Sequence, residues 1–212
     1  MKVGVIDYGV GNLGSVLRAL EELRVAPVLV NRPVDLHASD CLILPGVGNF
    51  SDCVRLLNDG GWFAALNDEV LGYQRPLLGV CVGMQLLADS STEGAADGQS
   101  VKGLGFIPGQ VRHLREFGST LRVPHVGWNS ITRTRTDDHL FHGIPNGTDF
   151  YFVHSYAFAP RDEVDVLAVA NYGVPFAAAV QRGRVWGAQF HPEKSSRAGF
   201  RLLKNFIDSS AC

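Results

Sequence analysis

The sequence contains few cysteines and no long apolar run. Its four cysteines are Cys41, Cys53, Cys81 and Cys212, and they form neither a C-x-x-C pair nor another zinc-binding spacing. So few cysteines in 212 residues argue against a disulfide framework and favour a reducing compartment. No apolar run approaches membrane-spanning length, and no signal peptide is predicted at the N-terminus. We therefore expect a cytoplasmic protein with no membrane segment and no metal site.

An excess of charge of either sign is also missing. Lys and Arg number 19, Asp and Glu number 21, and the formal net charge is −2. This balance argues against non-specific binding to nucleic acid or to anionic membranes, so we predict neither as a partner. The hydrophobic fraction of 46% and the charged fraction of 19% are ordinary for a globular protein. The length fits one large domain or two small ones.

The first half of the chain alternates apolar segments with helical patterns. Predicted strands cover residues 2–7, 27–30, 41–44 and 77–80, and predicted helices cover residues 15–23, 52–58, 63–71 and 83–88. Strands that alternate with helices indicate a parallel sheet with crossover helices. Because the strands are almost continuously apolar, both faces of this sheet are expected to be covered.

The second half consists mainly of predicted strands. These cover residues 101–114, 121–131, 150–158, 166–170, 177–180 and 185–190, and a last helix covers residues 198–207. Arg182-Gly183 is a hairpin signal, residues 115–119 are expected to form a hairpin turn, and residues 94–100 a flexible loop. We expect an α/β fold with a three-layer open, mostly parallel sheet, helices on both faces, and antiparallel strands added by the second half.

Gly79-Val80-Cys81-Val82-Gly83 lies between a predicted strand and a predicted helix. This G-x-nucleophile-x-G pattern is typical of a nucleophile elbow, whose turn is too tight for side chains at the two outer positions. The turn places the sulfur at a helix N-terminus, where the helix dipole favours thiolate. The Val82 N–H is then positioned to stabilise an oxyanion. The alternative is a buried structural cysteine, since free cysteine is common in protein cores.

His191 and Glu193 follow a predicted strand and are separated by Pro192. Residues two apart in an extended chain point to the same side, and a following proline keeps His191 extended. One imidazole nitrogen can then face Cys81 while the other donates to Glu193, as in a nucleophile–base–acid triad. The alternatives are a solvated surface pair and a metal site. The deaminase form of H-x-E requires a downstream P-C-x-x-C that this chain lacks.

The segment Gly9–Gly14 matches the dinucleotide-binding pattern G-x-G-x-x-G. That pattern also requires an acidic residue after the second strand, where this chain has Asn31-Arg32. Arg32 could in principle suit a phosphorylated ribose. A non-catalytic nucleotide-binding or scaffolding protein therefore remains an alternative, although it leaves the cysteine elbow and the His191–Glu193 pair unexplained.

Taken together, these motifs resemble the triad-type, class I glutamine amidotransferases. More narrowly, the chain is similar to the glutaminase subunits of imidazole glycerol phosphate synthases, because Pro-Gly-Val-Gly and His-Val-Gly-Trp-Asn are typical of that group. The matching blocks are residues 9–12 with Ser15, 44–48, 79–87, 103–105, 124–129, 151–156, 175–180 and 189–195. They run in order over nearly the whole chain. The resemblance implies a single glutamine amidotransferase type-1 domain over residues 1–212.

The resemblance also implies a reaction without a cofactor. Cys81, assisted by His191 and Glu193, would hydrolyse glutamine to glutamate and ammonia through a thioester. The oxyanion would be bound by Val82 and by Val47 or Gly48. Relatives bind glutamine near positions that match Gly48, Gln85, Ser155 and Tyr156. For Gln85 an ordinary surface amide is the alternative.

The partner that the resemblance implies is a (β/α)₈-barrel cyclase in a heterodimer. It would use the ammonia to make imidazole glycerol phosphate and an aminoimidazole carboxamide ribonucleotide in histidine biosynthesis. Asn12, Trp128 and Lys194 match positions that face this partner, with a core tryptophan and a solvated lysine as alternatives. Service to another ammonia-using enzyme, such as pyridoxal phosphate synthase, is a further alternative. The block from His125 to Asn129 argues against it.

Overall fold

The computed structural model describes residues 1–96 and 99–210. Part of the predicted loop at 94–100 falls on residues 97–98, which lie outside the described residues, as does Cys212. The thiols of Cys41, Cys53 and Cys81 are free and buried. Within the described residues, no helix is both long enough and apolar enough to cross a bilayer.

The first half alternates strands and helices as predicted. The elements are β1 (Val3–Ile6), α1 (Leu13–Glu22), β2 (Pro27–Val30), a 3₁₀ helix (Pro33–Ala38), β3 (Cys41–Gly46), α2 (Phe50–Asp59), α3 (Trp62–Leu66), a π-helical segment (Asn67–Gly72), β4 (Leu77–Cys81) and α4 (Val82–Gln85). The strands match the predicted apolar segments, and β1, β3 and β4 are buried throughout. The helix predicted at 63–71 is divided between α3 and the π-helical segment.

The second half is mostly β-structure. Its elements are β5 (Ser90–Ser91), β6 (Val101–Lys102), β7 (Gly109–His113), β8 (His125–Arg133), β9 (Asp149–His154), β10 (Tyr156–Pro160), a 3₁₀ turn (Glu163–Asp165), β11 (Val166–Asn171), β12 (Pro175–Arg182), β13 (Val185–Ala188), a 3₁₀ turn (Pro192–Lys194) and α5 (Ser196–Ser210). Strands β12 and β13 form the hairpin predicted around Gly183, with Arg182 paired to Val185.

One nine-stranded sheet has the order β2-β1-β3-β4-β13-β12-β11-β8-β9. From β2 to β13 neighbouring strands are parallel, and from β13 to β9 they are antiparallel. The α/β fold class is therefore confirmed: a parallel sheet is extended by antiparallel strands of the second half. The carboxyl ends of β3, β4 and β13 meet at one edge, where open α/β sheets bind ligands.

A separate four-stranded sheet, β10-β7-β5-β6, was not predicted. The strand predicted at 150–158 is in fact two strands, because β9 pairs with β8 in the large sheet while β10 pairs with β7 in the small one. The chain changes sheets at Ser155. The turn predicted at 115–119 is present, but it joins strands of different sheets, so the prediction of a hairpin there was wrong.

The helix predicted at 83–88 is shorter than expected and ends at Gln85. The next three carbonyls accept hydrogen bonds from residues 104–107 instead of continuing the helix, with Leu104 N–H donating to Leu86 O at 2.8 Å and Ile107 N–H to Leu87 O at 3.0 Å. The same contacts interrupt the strand predicted at 101–114. The strand predicted at 121–131 is also displaced, since β8 starts at His125 and continues to Arg133.

Candidate active site

The turn at Cys81 has the geometry of a nucleophile elbow. Cys81 ends β4 and has φ 56° and ψ −114°, in the left-handed half of φ space that residues other than glycine rarely adopt. A Cβ at Gly83 would overlap the Leu44 carbonyl, and a Cβ at Gly79 would lie 2.5 Å from Gly83 O. Glycine is therefore required at both positions. Because α4 is a single turn, its dipole is smaller than the predicted six-residue helix would provide.

Strand register explains why residues more than a hundred positions apart meet at this edge. Strands β4 and β13 are parallel neighbours in which Ala188 pairs with Val80. Their carboxyl ends therefore place Gln189 beside Cys81, and the chain then turns back so that the His191 N–H donates to Tyr151 O at 2.9 Å. This backbone contact fixes His191 over the elbow.

His191 interacts with Cys81 and lines the same cleft, and it is hydrogen-bonded to Glu193. The His191 Nδ1–Glu193 Oε1 distance is 2.9 Å. Since a carboxylate only accepts, Nδ1 carries the proton and Nε2 faces the sulfur. Burial lowers the pKa of His191, but the hydrogen bonds to Cys81 and Glu193 outweigh it and raise the pKa to about 10.

The local backbone differs in one respect from the extended His-Pro-Glu predicted. His191 is extended, with φ −99° and ψ 96°, but Pro192–Lys194 forms a 3₁₀ turn. The turn is closed by Lys194 N–H donating to His191 O at 3.0 Å. Glu193 therefore reaches the imidazole across a tight turn and not along a continuing strand.

The glycine-rich loop before α1 brings the Asn12 side chain to the Glu193 carboxylate. Gly9 and Gly11 have φ values of 102° and 138°, which glycine adopts without strain. The Asn12 amide Nδ2 donates to Glu193 Oε1 at 3.2 Å. The G-x-G-x-x-G pattern thus has a structural explanation that needs no dinucleotide: it holds an amide against Glu193.

A cleft of about 320 Å³ opens above Cys81 and His191. The positions predicted from the resemblance for the oxyanion and for substrate all line it: Val47, Gly48, Val82, Gln85, Ser155 and Tyr156. Three separate parts of the chain supply these residues, so the cleft exists only in the folded protein. Its size suits a small amino acid better than a dinucleotide.

The three predicted interface residues are placed differently from one another. Trp128 is 55% exposed on β8, so the alternative of a core tryptophan is wrong. Lys194 lies at the rim of the cleft, with Nζ 6.0 Å from the Tyr151 ring centre, and the Trp128 ring lies 5.9 Å from the same ring. Trp128 and Lys194 therefore belong to one surface beside the cleft, whereas Asn12 contacts Glu193.

Sequence reasoning missed a carboxylate in the cleft. Glu93 lines it and accepts a hydrogen bond from Phe50 N–H at 2.9 Å. Burial raises the pKa of Glu93, partly offset by that hydrogen bond. Glu93 belongs to no motif and precedes a polar loop, so no sequence signal indicated it.

Two buried polar groups next to the cleft were also missed. Gln189 is fully buried, and its Nε2 lies 3.9 Å from Cys81 Sγ. His125 and His154 are both buried and are joined by a 3.0 Å contact between Nδ1 and Nε2. A glutamine inside an otherwise apolar strand segment was the available signal for Gln189.

The fold and the cysteine elbow together define a class of enzyme. The family model "Glutamine amidotransferase class-I" matches residues 4–209, and the chain belongs to this family. Among solved structures, a glutamine amidotransferase has a TM-score of 0.73 at 22% identity, with 99% of both chains covered. PurLQS from Thermotoga maritima has a TM-score of 0.75 at 17% identity, with 98% of both chains covered. At such identities the likeness shows the fold alone.

Curated relatives are much more similar in sequence. The chain is 48% identical over 204 residues to "Imidazole glycerol phosphate synthase subunit HisH" of Moorella thermoacetica, covering 96% of this chain and 93% of the relative. It is 46% identical over 211 residues to "Imidazole glycerol phosphate synthase subunit HisH 1" of Prochlorococcus marinus, covering 98% and 97%. A subunit of the same name from Campylobacter jejuni is 42% identical over 204 residues, covering 96% and 98%.

Proposed function

We propose that this chain is the glutaminase subunit of an imidazole glycerol phosphate synthase in histidine biosynthesis. It hydrolyses glutamine and delivers the ammonia to a (β/α)₈-barrel cyclase in a cytoplasmic heterodimer. The observation that best supports a glutaminase is that Cys81, on a strained elbow, and His191, hydrogen-bonded to Glu193, line one cleft. The relatives named as synthase subunits, 48% and 46% identical over almost the full length, support the pathway and the partner. We also propose that the chain forms one amidotransferase domain.

The proposed reaction has two halves. The Cys81 thiolate attacks the amide carbon of glutamine, and the proton on His191 Nε2 passes to the departing nitrogen, so that the C–N bond breaks and ammonia leaves a thioester. His191 then takes a proton from water as the water oxygen adds to the thioester carbon. The C–S bond breaks, glutamate is released and the thiolate is restored. Glu193 keeps the imidazole oriented in both halves.

The peptide between Val47 and Gly48 supports a place for the oxyanion. Cys53 Sγ donates to the Val47 carbonyl at 3.5 Å, and a peptide N–H points opposite to its carbonyl. Gly48 N–H therefore points away from Cys53, and Gly48 lines the cleft. We propose that Gly48 N–H and Val82 N–H together stabilise the oxyanion. A φ of 87° at Gly48 requires glycine there.

The cleft offers complementary groups for the amino-acid end of glutamine. The Glu93 carboxylate suits the substrate ammonium. Both N–H groups of Gln85 are used within the protein, on Tyr156 O and Gln189 Oε1, so its Oε1 remains to accept a hydrogen bond from substrate. Ser155, where the chain passes between the two sheets, supplies a hydroxyl to the same cleft.

Delivery of ammonia requires a surface that seals against the partner, because ammonia that reaches water is mostly protonated and no longer nucleophilic. The exposed Trp128 and the rim residue Lys194 are next to the cleft, and an aromatic residue beside a polar rim is typical of interfaces. We propose that these two side chains contact the cyclase. Asn12 donates to Glu193, and we propose that it also contacts the partner.

A glutaminase assay with and without purified barrel cyclase tests this proposal. We expect weak glutamate release from the chain alone and much faster release with the cyclase, both abolished in Cys81→Ala. Activation by pyridoxal phosphate synthase in place of the cyclase would overturn the assignment of pathway. Tight binding of a nicotinamide dinucleotide without any glutaminase activity would overturn the assignment of chemistry.

A further inference from the structure

A continuous series of buried and partly buried hydrogen bonds leads from the surface of β8 to the sulfur of Cys81. From the surface inwards, it joins Asn129, His125, His154, the Tyr156 carbonyl, Gln85, Gln189 and Cys81. Its last member is an amide that the reaction described above does not use. The direction of each hydrogen bond decides what this amide offers to the sulfur.

The Tyr156 carbonyl sets the direction on the cleft side. A carbonyl can only accept, so the Gln85 atom 3.0 Å from Tyr156 O is the donor Nε2. The same Nε2 lies 3.0 Å from the side chain of Gln189, which must therefore present its oxygen to Gln85. The Gln189 amide is then turned so that its NH₂ group faces Cys81, with Nε2 3.9 Å from Sγ.

The same carbonyl sets the direction on the other side. His154 Nδ1 donates to Tyr156 O at 2.8 Å, so the unprotonated Nε2 of His154 accepts from His125 Nδ1 at 3.0 Å. Two donors thus hold one carbonyl, and both belong to groups with less than 10% of their surface exposed. The carbonyl, and with it the orientation of Gln85 and Gln189, is strongly determined.

We propose that Gln189 is a further residue of the catalytic centre, whose amide N–H group donates to Cys81 Sγ and stabilises the thiolate. The proposal deepens the glutaminase function above and rests on it. An N–H donor favours the charged form of the group that it contacts. Gln189 would assist twice in each turnover, before attack on glutamine and when the thioester breaks, because sulfur carries negative charge at both points.

Other titratable groups also surround the sulfur. His191 lies on one side with Glu193 behind it, and Tyr8 and Cys53 interact with Cys81 from the direction of β1 and α2. Val153 O accepts from Sγ at 3.8 Å, which favours the thiol. Among these neighbours, Gln189 is the one whose amide N–H group donates to the sulfur in a hydrogen bond.

The test measures the alkylation rate of Cys81 by iodoacetamide as a function of pH, by mass spectrometry of the Cys81 peptide from the full-length chain. Wild type is compared with Gln189→Leu, which removes the donor, and with Gln189→Glu, which keeps an acceptor for Gln85 but places a carboxylate beside the sulfur. Gln110→Leu, on the exposed side of β7, is the matched control.

We expect the pH midpoint of alkylation to rise by at least about half a unit in Gln189→Leu, because a hydrogen bond to a charged group corresponds to about one unit or more and this contact is long. At pH values below the midpoint, alkylation then slows about threefold. Gln189→Glu should give a larger rise, and Gln110→Leu none.

Unchanged midpoints in both Gln189 variants, with wild-type circular dichroism, would overturn the proposal. Faster alkylation without a shift of midpoint would mean only wider access to the sulfur and would contradict it equally. If Gln189→Leu does not fold, Gln189→Glu decides. Absence of glutaminase activity in the wild type would refute the proposed function. The alkylation midpoints would still show whether Gln189 stabilises the Cys81 thiolate.

Discussion

Acidification should destabilise this protein through its buried histidine pair, above the pH at which carboxylates titrate. Burial lowers the pKa of His125 to about 4. Burial also dominates at His154, where the hydrogen bond to Tyr156 O opposes it and His125 and His191 add to it, so that the pKa falls to about 3. Both rings are therefore neutral in the folded chain at pH 5, whereas unfolded histidine has a pKa of 6.5.

The sign of the effect follows from proton binding. Between about pH 6.5 and pH 4 the unfolded chain binds protons that the folded chain does not, so the free energy of unfolding falls as the pH falls. At pH 5 the loss is about 2 kcal/mol for each histidine, since one pKa unit corresponds to about 1.4 kcal/mol. The pair together gives on the order of 4 kcal/mol, a large part of the 5–15 kcal/mol that is typical of a domain. His191, whose pKa is raised, opposes this loss by about 1.4 kcal/mol between pH 7.5 and 6.5, because there the folded chain holds a proton that the unfolded chain releases.

The structure explains why the pair resists protonation. His154 Nε2 accepts from His125 Nδ1, so a proton on that nitrogen would place two donors against each other. The His125 ring also stacks on Tyr172 at 4.0 Å and on Phe152 at 5.1 Å, which excludes water. His191, which is itself favoured in its charged form, also lowers the pKa of His154.

Urea unfolding at pH 7.5, 6 and 5 measures the effect. His125→Phe should reduce the loss between pH 7.5 and 5 by about 2 kcal/mol, whatever it does to stability at neutral pH, because one titrating group is removed. The exposed His142→Phe serves as the control and should keep the wild-type dependence. A wild type equally stable at pH 7.5 and 5, or a His125→Phe variant with an unreduced loss, would refute the reasoning.

Three further predictions concern the cleft. Glu93→Gln should raise the KM for glutamine at least about tenfold with a smaller change in kcat, since a charge-assisted hydrogen bond contributes about 1.5–3 kcal/mol. Steady-state kinetics with the cyclase measures both constants, and an unchanged KM would exclude the contact between Glu93 and the substrate ammonium. Gly83→Ala should destabilise the fold by about 1–3 kcal/mol, because its Cβ would overlap Leu44 O; a wild-type melting temperature would contradict the elbow geometry. Asn12→Ala should lower the glutaminase kcat of the isolated chain severalfold, because Asn12 donates to Glu193. If kcat falls only when the cyclase is present, Asn12 acts at the interface alone.

The sequence predicts the parallel half of the fold well because each strand there is a short apolar run bounded by turn residues. Residues 27–30 form β2 with the predicted limits. β2 lies at the edge of the sheet and exposes Val28 and Leu29, so its signal is the short apolar run alone. For β1, β3 and β4, which are buried throughout, the signal comes from burial on both faces, which a single sequence displays directly. Glycine positions also predicted the elbow, since steric overlap around Cys81 allows no other residue.

The second sheet could not be predicted for a physical reason. Residues 150–158 have one unbroken strand-like pattern, yet His154 pairs with His125 and Tyr156 pairs with His113 in a different sheet. Periodicity reports that a segment is extended and half-buried, not which strand it pairs with. The early end of α4 at Gln85 has a similar cause, since distant N–H groups at residues 104–107 donate to the carbonyls of residues 86–88, which directly follow the helix.

The site likewise contains some residues that a local pattern indicates and others that only long-range packing brings together. Cys81, His191 and Glu193 belong to local motifs, so the sequence indicates them. Glu93 and Gln189 were not predicted as site residues, and only the folded chain shows that one lines the cleft and the other faces the sulfur.

Labelling of the full-length chain with a glutamine-analogue electrophile tests the central claim most directly. The account predicts one covalent adduct per chain, on Cys81, which glutamine prevents and which is absent from Cys81→Ala. Labelling that persists in Cys81→Ala, or an adduct on another residue in the wild type, would contradict it.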